Sequence, residues 1–230
     1  MSLAHPLGCS DVRTVPTAPT GTVSGTVRLV SASDSAPTPV RNTTDPEVCG
    51  ETQSLEDFVV SAEGGLGNAF VSILIPRPAS GQFAGATETA PETVVIDNVG
   101  CRFEPHAAVL TVGSTLMARN SDAVLHTTHL YGPAETNFSL PIEGATGSKV
   151  LDVPGIYSVK CDVHGWMQAF VRVDAHPFHD VTDHAGFFEI GNVPVGTYTM
   201  EVWHERLGPL THDVVITEDA RTTLEVNYEP

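Results

Sequence analysis

The chain of 230 residues has few basic residues and no long apolar run. No stretch of eighteen apolar residues occurs, so no transmembrane helix is expected. There are 11 Lys and Arg against 28 Asp and Glu, giving a net charge of −17. This balance argues against nucleic-acid binding, because phosphates attract Lys and Arg, and it favours cationic partners. No segment keeps a helical period over three turns, so we expect little helix.

What the sequence does contain is short runs rich in Val and Thr, broken by Gly, Pro, Asn and Asp, and these predict an all-β protein. The clearest example is the alternating run 21–30. Further strands are predicted at 69–75, 94–96, 108–112, 115–118, 149–153, 156–160, 169–173, 186–190, 198–203, 213–217 and 223–226. Residues 31–57 are predicted as a long loop, 77–92 as a linker, and 130–146 as the place for one short helix.

The N-terminal residues 1–20 are rich in Ser, Thr and Pro, which predicts a flexible tether. Within them Leu7-Gly8-Cys9 is weakly similar to a lipoprotein cleavage site, which makes a lipid tether at Cys9 one interpretation.

The other three cysteines are Cys49, Cys101 and Cys161. If Cys161 binds a metal ion, Cys49 and Cys101 are left as a candidate disulfide. Such a disulfide would suit an oxidising compartment.

The most specific local pattern is Cys161-Asp-Val-His164-Gly-Trp-Met167, which places a thiolate, an imidazole and a thioether within seven residues. Soft sulfur ligands combined with imidazole favour copper. Zinc also accepts Cys and His, but methionine is a poor zinc ligand. One thiolate, two imidazoles and a weak axial methionine form a blue-copper electron-transfer site. A second histidine is offered by His126 or His129, which follow a predicted strand.

These residues resemble the cupredoxin family over positions 92–174. The family leads into its ligand loop with Pro-Gly-x-Tyr-x-x-x-Cys, and this chain has Pro154-Gly-Ile-Tyr157-Ser-Val-Lys-Cys161. The spacing of Cys161, His164 and Met167 is that of amicyanin-like members, and His126 lies six residues after Asn120, as the first ligand does in the family.

The resemblance implies a Greek-key β-sandwich that binds one type 1 copper ion through His126, Cys161, His164 and Met167. It also implies that an exposed edge of His164, flanked by an apolar patch, serves as the electron port. The chain departs from the family at Thr127, where an Asn often ties the two ligand loops together by hydrogen bonds.

A second resemblance lies outside this region. Thr182-Asp-His-Ala-Gly186-Phe-Phe188 and Val193-Pro-Val-Gly196-Thr-Tyr198 are similar to carboxypeptidase regulatory-like (transthyretin-like) β-sandwich domains. The two earlier strands of that pattern match 21–27 and 69–73. This implies a discontinuous sandwich made of 21–80 plus 175–230, with the cupredoxin domain, 88–174, inserted in it. Domains arranged in series are the alternative.

Together these features predict an electron carrier rather than a catalyst, located in the bacterial periplasm or cell envelope or outside the cell. Its partner would be a redox protein, cytochrome-like or dehydrogenase-like. The alternatives are a copper-binding or delivery module, an adhesion protein whose copper loop has lost its role, or a copper oxidoreductase. The oxidoreductase would need a second metal site, for which the candidates are His176, His179, His204 and Glu205.

Overall fold

A computed structural model describes residues 18–30, 39–76 and 91–229. The candidate tether up to residue 17, Cys9 and most of the linker 77–92 lie outside the described residues. The regular secondary structure of the described residues is almost entirely β-strand, as the sequence predicts. Its elements are β1 (Thr20–Leu29), β2 (Pro39–Arg41), α1 (Pro46–Cys49), β3 (Thr52–Ser54), β4 (Phe70–Leu74), β5 (Thr93–Val99), β6 (Arg102–Glu104), β7 (Ala107–Thr111), β8 (Thr115–Asn120), β9 (His126–Tyr131), β10 (Thr136–Leu140), β11 (Thr146–Val150), β12 (Gly155–Lys160), β13 (Gln168–Asp174), β14 (His179–Val181), β15 (Phe187–Pro194), β16 (Gly196–His204), β17 (Gly208–Ile216) and β18 (Arg221–Tyr228).

Strands β5 to β13 form two sheets, which we call the central sandwich. One sheet has the order β10-β9-β12-β13-β7 and the other β11-β8-β5-β6. Apolar side chains from both sheets meet in one core, which includes Ile96, Leu116, Tyr157 and Val171. Burying this apolar surface is the main force that holds the sheets together.

The remaining strands, except β2 and β3, form a second pair of sheets, which we call the outer sandwich. Their orders are β15-β1-β18 and β14-β4-β16-β17. Strand β1 runs parallel to β18 and antiparallel to β15. This pairing brings the segment before the central sandwich together with the segment after it. A second core of apolar residues fills the space between the sheets. Gly186 (φ 79°) turns the chain into β15, where a Cβ atom would lie 2.3 Å from the carbonyl oxygen of Val27, so only glycine fits.

Residues 39–54, which we call the cap segment, leave the outer sandwich and lie against the central one. The segment contains β2, α1 and β3, whereas the sequence predicted only loop here. Its link to the central sandwich is a disulfide between Cys49 and Cys101, which confirms the pairing suggested for these two cysteines. Cys49 is buried in the core of the central sandwich.

The prediction of a short helix within 130–146 is wrong, because this stretch holds the end of β9, all of β10 and the first residue of β11. Side chains in β10 alternate, with Thr136, Phe138 and Leu140 more buried than the residues between them. This period of two fits an edge strand that packs one face on the core. Pairing of β10 with β9 and of β11 with β8 supplies the backbone hydrogen bonds.

A buried polar network joins the two sandwiches. Asp174, at the end of β13, accepts hydrogen bonds from Ser72 at 2.9 Å and from Arg172 at 3.0 Å, and lies 3.1 Å from Nδ1 of His179. Arg172 also donates to Glu201 across 2.6 Å. Burial alone would raise the pKa of Asp174, but the hydrogen bond with His179 and the charge of Arg172 lower it to about 2.

In the described ranges, no helix is long and apolar enough to cross a membrane.

Candidate metal centre

Three neighbouring strands bring the candidate ligands to one end of the central sandwich. Cys161 follows β12 directly, and β13 begins immediately after Met167. The tight loop between them is closed by a hydrogen bond from the N–H of Met167 to the carbonyl of His164, at 2.9 Å. Strand β9, which begins at His126, pairs with β12. Strand pairing therefore places the start of β9 beside the end of β12.

The donor atoms of His126, Cys161 and His164 form a compact triangle. Sγ of Cys161 lies 3.9 Å from Nδ1 of His126 and 3.7 Å from Nδ1 of His164, and the two Nδ1 atoms are 3.1 Å apart. A point equidistant from all three atoms lies about 2.1 Å from each; zinc, for comparison, binds imidazole nitrogen at about 2.0–2.1 Å and thiolate sulfur at about 2.3 Å. The triangle thus has the size of a first-row metal site.

All three of these residues are buried, with both histidine side chains fully inaccessible to solvent. Met167 is also buried and belongs to the same core cluster as Cys161. A thiolate, two imidazoles and the thioether of the buried Met167 are soft donors of the kinds that fit copper.

The structure separates the two candidate histidines of β9. His129 lies on the solvent side of the strand, where Nδ1 is 3.1 Å from Asp162 and Nε2 is 3.1 Å from Glu135. Slight burial lowers the pKa of His129, but the hydrogen bonds with these two carboxylates outweigh it, and the net effect is a rise. His126 points inward instead and contributes Nδ1 to the triangle.

Thr127, the second residue of β9, connects the start of that strand to the Cys161 loop, at a position where the cupredoxins that the sequence resembles often have an Asn. Its backbone N–H points at Sγ of Cys161 from 3.4 Å, and its hydroxyl oxygen accepts the N–H of Asp162 at 2.7 Å. A threonine hydroxyl therefore makes a cross-loop hydrogen bond here.

Each buried imidazole has a carboxylate at its far nitrogen. Nε2 of His126 lies 2.9 Å from Asp122, and Nε2 of His164 lies 3.1 Å from Asp45 of the cap segment. Such partners hold the proton on Nε2 and leave Nδ1 free to bind a metal. Burial lowers the pKa of His126 more than the hydrogen bond with Asp122 raises it, and the nearby His164 lowers it further. The lowered pKa favours the neutral imidazole, which is the form that binds metal ions.

The sequence analysis does not identify either aspartate as a partner of a candidate ligand. Asp122 lies four residues before His126, a spacing that gives it a weak local signal. Asp45 lies 119 residues before His164, and its position depends on the cap segment, so no local pattern could identify it.

The expectation that an edge of His164 reaches the surface is wrong, because the cap segment covers it. Besides Asp45, Sγ of Cys49 lies 3.8 Å from Nε2 of His164. The His164 ring instead contacts Trp166, with ring centroids 5.0 Å apart. Trp166 is half-buried and lines a cavity of about 460 Å³ between the cap segment and the central sandwich.

The second metal site proposed for the oxidoreductase alternative does not assemble. In the part of the chain that the structure describes, groups of ligand atoms close enough for a metal ion occur only around His126. The second of these groups includes Cys101, whose sulfur is already bonded to Cys49. Nδ1 of His179 faces Asp174, and Nδ1 of His204 accepts the N–H of Arg206 at 3.2 Å.

No family model and no curated protein matches this chain. Solved structures that resemble part of it include a copper-containing nitrite reductase from Thermus scotoductus, a Cu(I) form of a mutant amicyanin and a purple cupredoxin from Nitrosopumilus maritimus. Sequence identities are 25%, 25% and 22%, and TM-scores are 0.35, 0.33 and 0.31. The matches cover 44%, 45% and 36% of this chain, and 27%, 98% and 98% of the respective structures. The chain thus spans about a quarter of the nitrite reductase.

Proposed function

We propose that this protein is a mononuclear type 1 copper protein that passes single electrons between redox partners. The observation that carries the proposal is the buried triangle of His126, Cys161 and His164, with Met167 in the same core cluster. These four residues would hold one copper ion, with the thioether of Met167 as its weakest donor. When bound, copper supplies a one-electron couple between its +1 and +2 states.

The residues around the triangle keep it rigid. Thr127 ties the two ligand loops together, Asp122 and Asp45 orient the two imidazoles, and the Met167–His164 hydrogen bond closes the Cys161 loop. Donors that are held in place before the metal binds need little movement when the charge at the site changes. This rigidity suits electron transfer, and the burial of the histidines excludes water from the site.

Trp166 is the candidate route for electrons. The cap segment covers His164, so a partner cannot touch that ring directly, whereas Trp166 contacts His164 and also faces the cavity. Electrons would enter or leave through the indole ring.

The domain division also belongs to this proposal. Residues 88–174 would be the copper domain, inserted into a supporting transthyretin-like domain made of 21–80 and 175–230. The pairing of β1 with both β15 and β18 supports a discontinuous outer unit. The Cys49–Cys101 disulfide is consistent with an oxidising compartment such as the periplasm. The partner would be a redox protein, and the net charge of −17 favours one with a cationic surface.

Copper loading of the full chain tests the proposal. Cu(II) added to the metal-free protein should give an intense visible thiolate-to-copper band, a type 1 EPR signal and one copper per chain. The Cys161→Ser variant is the control and should remain colourless. A wild-type protein that binds copper without the visible band would contradict a type 1 site.

A redox titration then separates the carrier from a copper-delivery module. A carrier should show a reversible couple and fast electron self-exchange. A delivery module should release copper in one of its oxidation states, and a copper content above one per chain would instead favour an oxidoreductase.

A further inference from the structure

We propose that Asp45 is a positioning residue for His164, supplied to the candidate copper site by a segment outside the sandwich that holds the ligands. This inference rests on the proposed copper function. In this proposal the cap segment contributes to the site through Asp45. The carboxylate of Asp45 sets the orientation of the His164 ring and the electrostatic surroundings of its Nε2 atom.

The first observation is where the side chain of Asp45 points. Asp45 precedes helix α1 at the N-cap position, where an aspartate side chain usually accepts a hydrogen bond from the first turn. Here it makes no such capping bond. One carboxylate oxygen lies 3.1 Å from Nε2 of the fully buried His164 instead.

The backbone of Asp45 is consistent with this use. The residue has φ 50° and ψ 45°, which lies in the left-handed region that residues other than glycine seldom adopt. Asp and Asn tolerate this region best, because their short polar side chains find local partners. Backbone strain of this kind persists where the surrounding structure enforces it, often at functional sites.

The cap segment is fastened so that Asp45 stays in place. Cys49, four residues further on, is bonded to Cys101 of the central sandwich. Within the segment, the side-chain amide of Asn42 donates to the carbonyl of Gly50 at 2.7 Å, and the side-chain oxygen of Asn42 accepts the N–H of Thr44 at 2.8 Å. Asp45 therefore lies on a closed loop whose position is fixed by a covalent bond.

The same arrangement recurs at the other histidine, where Asp122 lies 2.9 Å from Nε2 of His126. Asp122 belongs to the central sandwich and also accepts the backbone N–H groups of Gly100 and Cys101, each at 2.8 Å. Both imidazoles thus carry a carboxylate on the nitrogen that faces away from Cys161. Carboxylate partners make a ligand imidazole more basic and fix its tautomer.

The charge of Asp45 has a direct electrostatic consequence. A negative group close to the site favours the more highly charged Cu(II) over Cu(I), which lowers the reduction potential. The side chain of Asp45 is 34% exposed, against 10% for Asp122, so solvent screens its effect more strongly. Loss of a partner of this kind changes metal affinity by about 10–100-fold, and we expect Asp45 to lie near the lower limit.

The test uses the full chain and the Asp45→Asn variant, which keeps the shape of the side chain and removes its charge. The copper-loaded variant should keep its visible band, while its Cu(II)-to-Cu(I) affinity ratio falls about tenfold, a rise in potential of about 59 mV for a one-electron couple. Glu47→Gln is the matched control, because Glu47 is exposed on α1 and its removal changes the net charge equally. This control should leave the potential close to that of the wild type.

A second readout needs no metal. In the metal-free wild-type protein, ¹⁵N NMR should find the proton of His164 on Nε2, and Asp45→Asn should give a mixture of both tautomers. If the potential and the tautomer of Asp45→Asn match those of Glu47→Gln while the visible band is present, Asp45 has no positioning role and the proposed function stands. A wild-type protein without the band would overturn the proposed function instead, and the tautomer would still decide the role of Asp45.

Discussion

The hydroxyl oxygen of Thr127 accepts a hydrogen bond from the backbone N–H of Asp162 across 2.7 Å. This bond joins the start of β9 to the loop that begins at Cys161. We expect Thr127→Val, which keeps the shape of the side chain but not its hydroxyl, to lower the free energy of unfolding by about 1 kcal/mol. It should also broaden the visible band of the copper-loaded protein, because the distance from Cys161 to His126 becomes less well defined.

Denaturant unfolding and optical spectra check this prediction. Thr146→Val is the control, because Thr146 lies on an exposed face of β11. Equal stability and identical spectra in the two variants would mean that the Thr127 hydroxyl does not tie the loops.

The contact between Trp166 and His164 leads to a prediction about the rate of electron self-exchange. Replacing it with leucine removes the ring that contacts His164 but changes no candidate ligand, so electron self-exchange should slow several-fold while the potential changes little. Self-exchange can be measured from NMR line broadening in mixtures of oxidised and reduced protein. The other tryptophan, Trp203, packs against Phe70 in the outer sandwich, and Trp203→Leu should leave the rate unchanged. An unchanged rate in Trp166→Leu would place the electron route elsewhere.

The network around Asp174 predicts a dependence of stability on pH. The pKa of this carboxyl is lowered from 3.8 to about 2 in the folded protein. A carboxyl with a depressed folded pKa stabilises the fold above its unfolded pKa, and this contribution is lost as the pH falls from about 4 to 2. The free energy involved is on the order of 2 kcal/mol.

Asp174→Asn should therefore lower stability at pH 7 and flatten the loss of stability between pH 4 and 2. Thermal unfolding across this range measures both effects. Asp152→Asn, at an exposed position, is the control and should follow the wild-type curve. A variant at Asp174 with the full wild-type acid dependence would show that other carboxyls dominate.

The disulfide between Cys49 and Cys101 predicts how the cap segment opens. The two cysteines are 52 residues apart, and closing a loop of that length is worth about 4 kcal/mol in the chain-entropy model. The double variant Cys49→Ser, Cys101→Ser should unfold at lower denaturant concentration. Its backbone amides in residues 39–54 should exchange with solvent faster than those of β12 and β13. Uniform acceleration across the whole chain would mean that the disulfide stabilises the fold without holding the cap.

The sequence was informative where the signal was local. Alternating apolar residues predicted most strands correctly, and the Cys161 loop was recognisable because its candidate ligands are crowded into seven residues. The helix within 130–146 was misplaced because the short β10 and β11 are edge strands with mixed composition. The burial of His164 by the cap segment could not be predicted, since it depends on the contact between Asp45 and His164, which are 119 positions apart.

The chain enters the central sandwich between β4 and β5 and returns to the outer sandwich between β13 and β14, and the cap segment adds a third connection through the Cys49–Cys101 disulfide. A domain attached at several points has less rotational freedom than one on a single linker, and the buried network of Arg172 and Asp174 restricts rotation further. The orientation of the outer sandwich therefore also determines the direction in which Trp166 faces. In the proposed electron carrier, recognition of a redox partner would therefore depend on how the outer sandwich orients the candidate copper site.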